Sequence, residues 1–307
     1  MRFKSKRYLA VLALLTLAFS AAPALAIDSS DLPALADGPL PKNLKPTLTM
    51  AKNDRSKAYI DHCHVQQNLT ASPAPCNYGD TSSSTTIVLF GDSHALSWFP
   101  AIEKLALAKH WKLISLTMSS CWPAYIPAFN TTTNKMMNNC AIWRDSALAQ
   151  IQSIKPSLLF VAGTRGFATT NDFGDVASGD EKYQIWKAGI ARTLKALVAA
   201  SARVIYIGDI PISMYDVPVC LASNKGNYSN CATPYWMATD ADWTIKERQA
   251  ATSAGAEFVD PTFWICKTDP CSPIEGNRLI YLDAGHITAT YSVTLEKPLW
   301  AAISGKK

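Results

Sequence analysis

Two short segments of the chain hold residue types able to do acyl-transfer chemistry: Gly91-Asp92-Ser93-His94 and Asp283-Ala284-Gly285-His286. A serine hydroxyl is a poor nucleophile until a base takes its proton, and imidazole titrates in the right range for that work. The imidazole in turn needs a carboxylate to hold its tautomer and stabilise the imidazolium. An aspartate three residues ahead of a histidine, with Gly285 in the turn between them, can place both side chains in one small loop. Each segment also has a plainer use. Asp-Ser is a common helix-capping pair, and Asp283 can cap a following helix beside an unrelated histidine. Only in combination, with the first segment placed after the first strand of an α/β domain, do Ser93, Asp283 and His286 become a specific signal.

Those residues need a scaffold that brings them together, and the hydrophobic pattern predicts one. Thr85–Phe90 is a continuous β-branched and apolar run ending at Gly91, as expected for a strand buried on both faces. Helical spacing follows over Ser97–His110, with Pro100 starting or kinking that helix. Further strands are expected at Trp111–Met118, Ser157–Ala162, Arg203–Gly208 and Ala256–Val259. Helices are expected at Asn139–Ile154, with Ile142, Leu148 and Ile151 on one side, at Tyr183–Ala200, within Ala238–Ser253 and over Thr290–Ile303. Strands alternating with helices imply an α/β fold, a three-layer α/β/α sandwich on a parallel sheet of about five strands. In such sheets ligands gather at the carboxyl ends of the strands, where the Ser93 turn falls.

The N-terminus reads differently. Four basic residues (Arg2, Lys4, Lys6, Arg7), an apolar run from Tyr8 to Ala22 and the small residues of Ala24-Leu25-Ala26 have the order of a secretory signal peptide, residues 1–26, with Ile27 as the new terminus. The run is shorter than the roughly 20 residues a spanning helix needs; an uncleaved membrane anchor is the alternative. Residues 27–83 form an arm and linker without sustained period, and 84–307 the main domain. Removing the signal takes four basic residues from the 29 basic and 24 acidic ones of the whole chain, leaving a mature protein of net charge near +1. That excludes the electrostatic footprint of a nucleic-acid partner.

All eight cysteines lie in the mature part, in the manner of a disulfide-bearing exported chain. Short loops favour the neighbour pairings 63/76, 121/140, 220/231 and 266/271, in which the first pair ties the arm to the body (Cys63, Cys76, Cys121, Cys140, Cys220, Cys231, Cys266, Cys271). No CxxC occurs and the spacings are irregular, so zinc is disfavoured, and His62-Cys63-His64 reads as arm rather than metal site. No cofactor or metal set is indicated. Trp98 and Trp122 are the tryptophans nearest the expected site loops, where an aromatic face suits a sugar ring, although most tryptophans in such a domain are core.

The Gly-Asp-Ser segment after the first strand and the Asp-x-x-His segment before the last helix resemble the first and last blocks of the SGNH (GDSL-like) hydrolases. More closely, the stretch TTIVLFGDSHALSWFP, the later SSCWP and YLDAGHIT together resemble the SGNH domain attached to membrane O-acyltransferases that acetylate bacterial surface polysaccharides. The resemblance spans Cys76–Trp300. It implies a serine esterase or O-acyltransferase acting on short acyl groups of a carbohydrate, with Ser93 as nucleophile, His286 as base and Asp283 as its orienting group, and with a membrane acyltransferase as a further partner; the signal peptide makes the expected location periplasmic or secreted. A polysaccharide-binding module without catalysis is the alternative from another class. The resemblance also implies a glycine after the second strand and an asparagine after the third, which complete the oxyanion hole. Here those positions read Ser119-Ser120-Cys121 and Gly163-Thr164-Arg165, with no asparagine. Candidates to fill the role are the Ser93 amide, the Ser120 amide or hydroxyl, and the Thr164 or Arg165 side chain. His94 has two readings, contact with substrate or support of its own loop.

Overall fold

The computed structural model describes residues 29–72 and 76–305. The signal segment, residues 1–26, lies outside the described residues. Among the described residues no helix is long and apolar enough to cross a membrane.

A single mostly parallel sheet organises the chain. Its strands are β1 (His64–Val65), β2 (Asn77–Gly79), β3 (Thr86–Gly91), β4 (Lys112–Met118), β5 (Leu158–Ala162), β6 (Val204–Ile207) and β7 (Glu257–Val259). They lie in the order β1-β4-β3-β5-β6-β7, and all but β2 run parallel to their neighbours. The five strands expected from sequence are all present, each within a residue or two of its expected bounds. The sheet nevertheless has seven strands, because the arm supplies two more. β2 pairs antiparallel with the first half of β4, Gly79 opposite Lys112, and β1 pairs parallel with its far end, Val65 opposite Met118. Two short arm segments thereby share the outer edge of β4, leaving less backbone there open to chance pairing.

Alternate residues of β3 feed two cores. Ile87 and Leu89 face one layer, packed with Phe99, Ile102 and Leu105 of α2 (Phe99–Lys109) and with Leu299 and Ile303 near the C-terminus. Val88 and Phe90 face the other, with Trp143 and Ile151 of α3 (Asn138–Ile154) and Ile190 and Leu194 of α4 (Gly179–Ala200). This period-2 division of a fully buried strand is what a sheet covered on both faces requires. The buried side of α3 holds two of the three expected residues, Ile151 and the partly buried Leu148, with Cys140, Trp143, Arg144 and Ala147, whereas Ile142 is 56% exposed. Three apolar residues in a helix can be joined by more than one helical face, and here the large Trp143 ring, stacked on Phe90, fixes the choice.

The helix expected over Ser97–His110 is present as α2, and a further short helix precedes it. A short α1 (Ser93–Ser97) begins at the β3 exit with Asp92 as its N-cap; the chain turns at Trp98, and α2 follows with Pro100 in its first turn. Proline is tolerated there because the N–H it lacks has no intrahelical acceptor. The final segment is divided, into Ala289–Ser292, a 3-10 turn at Val293–Leu295 and a helix at Glu296–Ser304.

The connections leave β3 in opposite directions, outward to β4 and then back across the sheet to β5. The crevice between β3 and β5 at their carboxyl ends is therefore the topological switch point, the place where open α/β sheets bind ligands. All four neighbour disulfides are formed, Cys63–Cys76, Cys121–Cys140, Cys220–Cys231 and Cys266–Cys271. Four such bonds fit a protein that folds outside the reducing cytosol.

Candidate active site

Ser93 occupies the first position of α1 directly above the switch point, and its placement follows from its neighbours. Gly91 ends β3 with φ +149°, and a Cβ there would stand 1.9 Å from the Ala162 carbonyl oxygen, so only glycine lets β3 and β5 converge at this point. Asp92 is fully buried. Its Oδ1 accepts the N–H groups of His94 (2.8 Å) and Ala95 (3.4 Å), and its Oδ2 accepts the Thr164 N–H (2.9 Å). One carboxylate thus caps the serine's helix and ties it to the loop after β5. Burial pushes the Asp92 carboxyl above its usual range, opposed by the His94 charge and these backbone donors.

Ser93 and His286 are 193 residues apart in sequence, and His286 Nε2 lies 2.9 Å from Ser93 Oγ. His286 Nδ1 lies 2.9 Å from Asp283 Oδ2, while Asp283 Oδ1 accepts the N–H groups of Gly285 and His286, both at 2.8 Å. The small loop therefore brings carboxylate and imidazole together as the spacing suggested. Burial alone would raise the Asp283 carboxyl, but the hydrogen bond and charge of His286 and the two amides outweigh it and hold it at about 2.

A cavity of about 250 Å³ opens over this trio. The body contributes Ser93, Leu96, Ser97 and Pro100 from the first helices, Ser119 and Ser120 from the β4 exit, and Leu282, Asp283, His286 and Ile287 from the last loop. The arm contributes Arg55, Ser56, Tyr59 and Gln66. None of these four arm residues was singled out by sequence, since nothing in an aperiodic polar segment marks which side chains will border a site.

The sequence model of a family described as "SGNH domain (fused to AT3 domains)" matches residues 62–300. The chain belongs to this family. The fold of the SGNH domain is shared with the periplasmic domain of a lipopolysaccharide acetyltransferase from Salmonella ser. Paratyphi A, with a TM-score of 0.55 at 16% identity over 74% of this chain and 84% of that one. A looser likeness, TM-score 0.42 at 14% identity over 74% of this chain and 97% of that chain, is to an acetylxylan esterase from Geobacillus stearothermophilus. No curated protein matches it by sequence.

The remaining candidates in this SGNH domain are placed unevenly. Ser120 lines the cavity beside Ser93, with φ +54°, and its Oγ accepts the Gln67 side-chain N–H at 2.8 Å. Thr164 and Arg165 do not line it. The Thr164 N–H is engaged by Asp92 and its hydroxyl accepts the Gly166 N–H at 3.0 Å. The Arg165 guanidinium donates to the Ala238 carbonyl and its backbone N–H to Asp209 Oδ2 (2.8 Å), so it braces loops. Trp98 is 1% exposed and meets Trp264 edge-on. Trp122 packs on Phe167 and donates its indole N–H to the Thr164 carbonyl. Both tryptophans are core, as bulky aromatics at the exits of buried strands tend to be.

His94 resolves in favour of loop support. It is buried, with Nδ1 2.6 Å from Asp209 Oδ1, and its ring meets that of His286 edge-on at 5.0 Å between centroids. Burial works against a charge on His94, but Asp209 outweighs it and raises the imidazole, while Asp209 itself is lowered by the same pairing. Asp209 also accepts the Ile210 N–H at 2.8 Å. Asp209 went unnoticed in the sequence. An isolated aspartate after a strand carries no local signal, and its partner lies 115 residues away. Among the described residues no cluster of side chains could hold a metal ion.

Proposed function

We propose that this is an exported serine enzyme that cleaves or transfers short acyl esters, chiefly acetyl, on a carbohydrate. The observation that carries the reading is the hydrogen-bonded series Ser93 Oγ, His286 Nε2, His286 Nδ1, Asp283 Oδ2, at 2.9 Å for each step, beneath a cavity at the sheet's switch point. In the proposed reaction His286 Nε2 takes the Ser93 proton as Oγ bonds to the ester carbonyl carbon. The tetrahedral oxyanion then collapses, the C–O bond to the sugar breaks, and the leaving alkoxide takes the proton back from His286. The acyl-enzyme is released by a second acceptor, whose proton His286 removes in turn. Asp283, already ionised, stabilises the imidazolium in both halves.

The oxyanion hole needs donors in place of the missing asparagine. Among the described residues, the Ser93 and Ser120 N–H groups donate to no protein acceptor, and both residues line the cavity. These two amides are the proposed hole. The positive φ of Ser120 is the kind of backbone conformation that turns an amide out of the normal course of a strand exit.

A second reading keeps the same residues and changes the acceptor. If water attacks, the protein is an esterase; if a sugar hydroxyl attacks, it is an O-acyltransferase that receives its acyl group from a membrane partner. The family description, which sets such domains beside AT3 domains, favours giving this reading a test. The first experiment is release of the phenol from an aryl acetate by the mature protein and by Ser93→Ala. The expected outcome is turnover by the first alone; equal slow release by both sinks the catalytic reading and leaves a binding module. Adding a glycan acceptor and following acetyl onto sugar then separates transfer from hydrolysis.

A further inference from the structure

The arm wall of the cavity carries a charge that the triad does not use. Three cations fall within six residues there, Lys52, Arg55 and Lys57. The two lysines are neutralised: Lys52 pairs with Asp216 at 3.2 Å, and Lys57 pairs with Glu103. Arg55 lies between them, borders the cavity, and has no carboxylate partner among the described residues. Its exposed guanidinium nevertheless has two contacts that orient it. Nε donates to the Lys52 carbonyl at 2.9 Å, and Cζ lies over the Tyr59 ring, 5.1 Å from its centroid. These contacts leave both terminal nitrogens of the fork without a protein acceptor among the described residues.

The backbone that presents Arg55 is anchored to the catalytic loop itself. Asp54 Oδ1 accepts the Thr290 N–H at 2.8 Å, its Oδ2 accepts the Thr290 hydroxyl at 2.6 Å, and its carbonyl accepts the Ala289 N–H at 2.9 Å. Arg55 is therefore fixed relative to His286, three residues before Ala289. The other charged pair at the cavity, Asp283 with His286, is internally satisfied. What remains for a ligand to meet is one unpaired, stacked, pre-oriented guanidinium. A planar fork of this kind matches a carboxylate through two parallel N–H···O bonds, and the ordering is largely done before the ligand arrives.

We propose that the cavity selects acyl esters of anionic sugars, with Arg55 receiving the carboxylate of a uronic acid while the ester carbonyl faces Ser93. The inference rests on the acyl-ester reading of the site and names the substrate class for it.

Two O-acetylated methyl glycosides with the acetyl group at the same hydroxyl, a glucoside and a glucuronoside, separate the possibilities. For the wild-type protein the ratio of kcat/KM, uronoside over glucoside, is expected to be about tenfold, the scale of a hydrogen-bonded charge pair partly open to water, and to fall with added salt. In Arg55→Gln that ratio should collapse towards one, and in Arg55→Lys it should recover in part. A wild-type ratio near one overturns the proposal, as does a preference that survives in Arg55→Gln. Calorimetric binding of the same two glycosides to Ser93→Ala gives a readout that needs no turnover. Tighter, salt-sensitive binding of the uronoside, lost on adding Arg55→Gln, supports the proposal even if no acetate is released, whereas equal or undetectable binding of both overturns it. A phosphorylated acetyl glycoside serves as a further arm. Preference for it over the uronoside overturns the carboxylate assignment.

Discussion

The Thr164 N–H donates to Asp92 Oδ2 at 2.9 Å across 72 residues of sequence. That bond joins the residue before Ser93, the proposed nucleophile, to the loop where SGNH relatives are expected to carry an asparagine. The same carboxylate caps α1 through the His94 and Ala95 N–H groups. Replacing Asp92 by Ala removes a cap and orphans a buried amide, so a loss of about 2–4 kcal/mol is expected, from about 1 for the cap and 1–3 for the unsatisfied donor. Urea denaturation measures it. Asp92→Asn retains an acceptor for one of the two attachments and should lose less; equal losses for Asn and Ala count against the double attachment.

The Asp283 carboxyl sits at about 2 in the folded protein against an ordinary 3.8. A depressed carboxylate contributes stability that is present above its unfolded value and lost as pH falls through the folded one. The side chain is about one third exposed, so screening reduces the expected contribution to about 1 kcal/mol. The difference in unfolding free energy between the wild type and Asp283→Asn should therefore hold steady from pH 7 to 5 and shrink between pH 4 and 2. A difference that grows with acidification contradicts the assignment.

Within the buried pair His94–Asp209, His94→Ala leaves a buried carboxylate without its partner, and Asp209→Ala leaves a buried imidazole whose Nδ1 has lost its carboxylate. Each single change should cost about 3–5 kcal/mol, and the double mutant distinctly less than their sum. The pH dependence has two sides. The raised His94 contributes stability below its unfolded value of 6.5 and loses it as pH rises through the folded value, while the lowered Asp209 loses its share in acid. Because the His94 ring touches that of His286, both single changes should also reduce acetate release. Full additivity in a double-mutant cycle would show that the two do not act as a pair.

Cys121 and Cys140 are buried, and their bond closes the segment from the Ser119–Ser120 turn to the start of α3. Arg144 holds the same turn from inside, donating to the Trp122 carbonyl (3.0 Å) and the Ile126 carbonyl (3.2 Å). The pair of changes Cys121→Ala and Cys140→Ala should cost about 2–4 kcal/mol. It should also lower kcat, because Ser120 is the proposed oxyanion donor. The corresponding double change at Cys220 and Cys231, which do not border the cavity, should lower stability while sparing kcat. Similar kcat losses in both variants would remove the special role given to the Ser120 turn.

Sequence reasoning succeeded where the physical signal was local. β3 to β7 declare themselves by continuous β-branched and apolar runs, and Asp283 and His286 meet because three residues and a glycine separate them. It failed where partners are distant or periodicity is absent. β1 and β2 are two and three residues long, too short for a period, and exist because β4 offers them an edge. Arg55 and Tyr59 reach the cavity on an aperiodic arm whose contacts, the Asp54 clamp on Thr290 among them, are distant in sequence, and Asp209 is chosen by a histidine on another strand's exit. Trp98 and Trp122 illustrate the opposite error, in which residue chemistry suggested a sugar platform and burial made them core.

The clamp between Asp54 and Thr290 has a bearing on when the protein becomes competent. Ser93 is made early in synthesis and its base 193 residues later. The arm that walls the cavity fastens to the segment just after that base. A growing chain can hold the residues of β3, β4 and the serine's turn before His286, Ala289 and Thr290 are added. On the proposed reading the Ser93 hydroxyl has no base until His286 has been added, and the Asp54–Thr290 bond then joins the arm to the segment that carries that base.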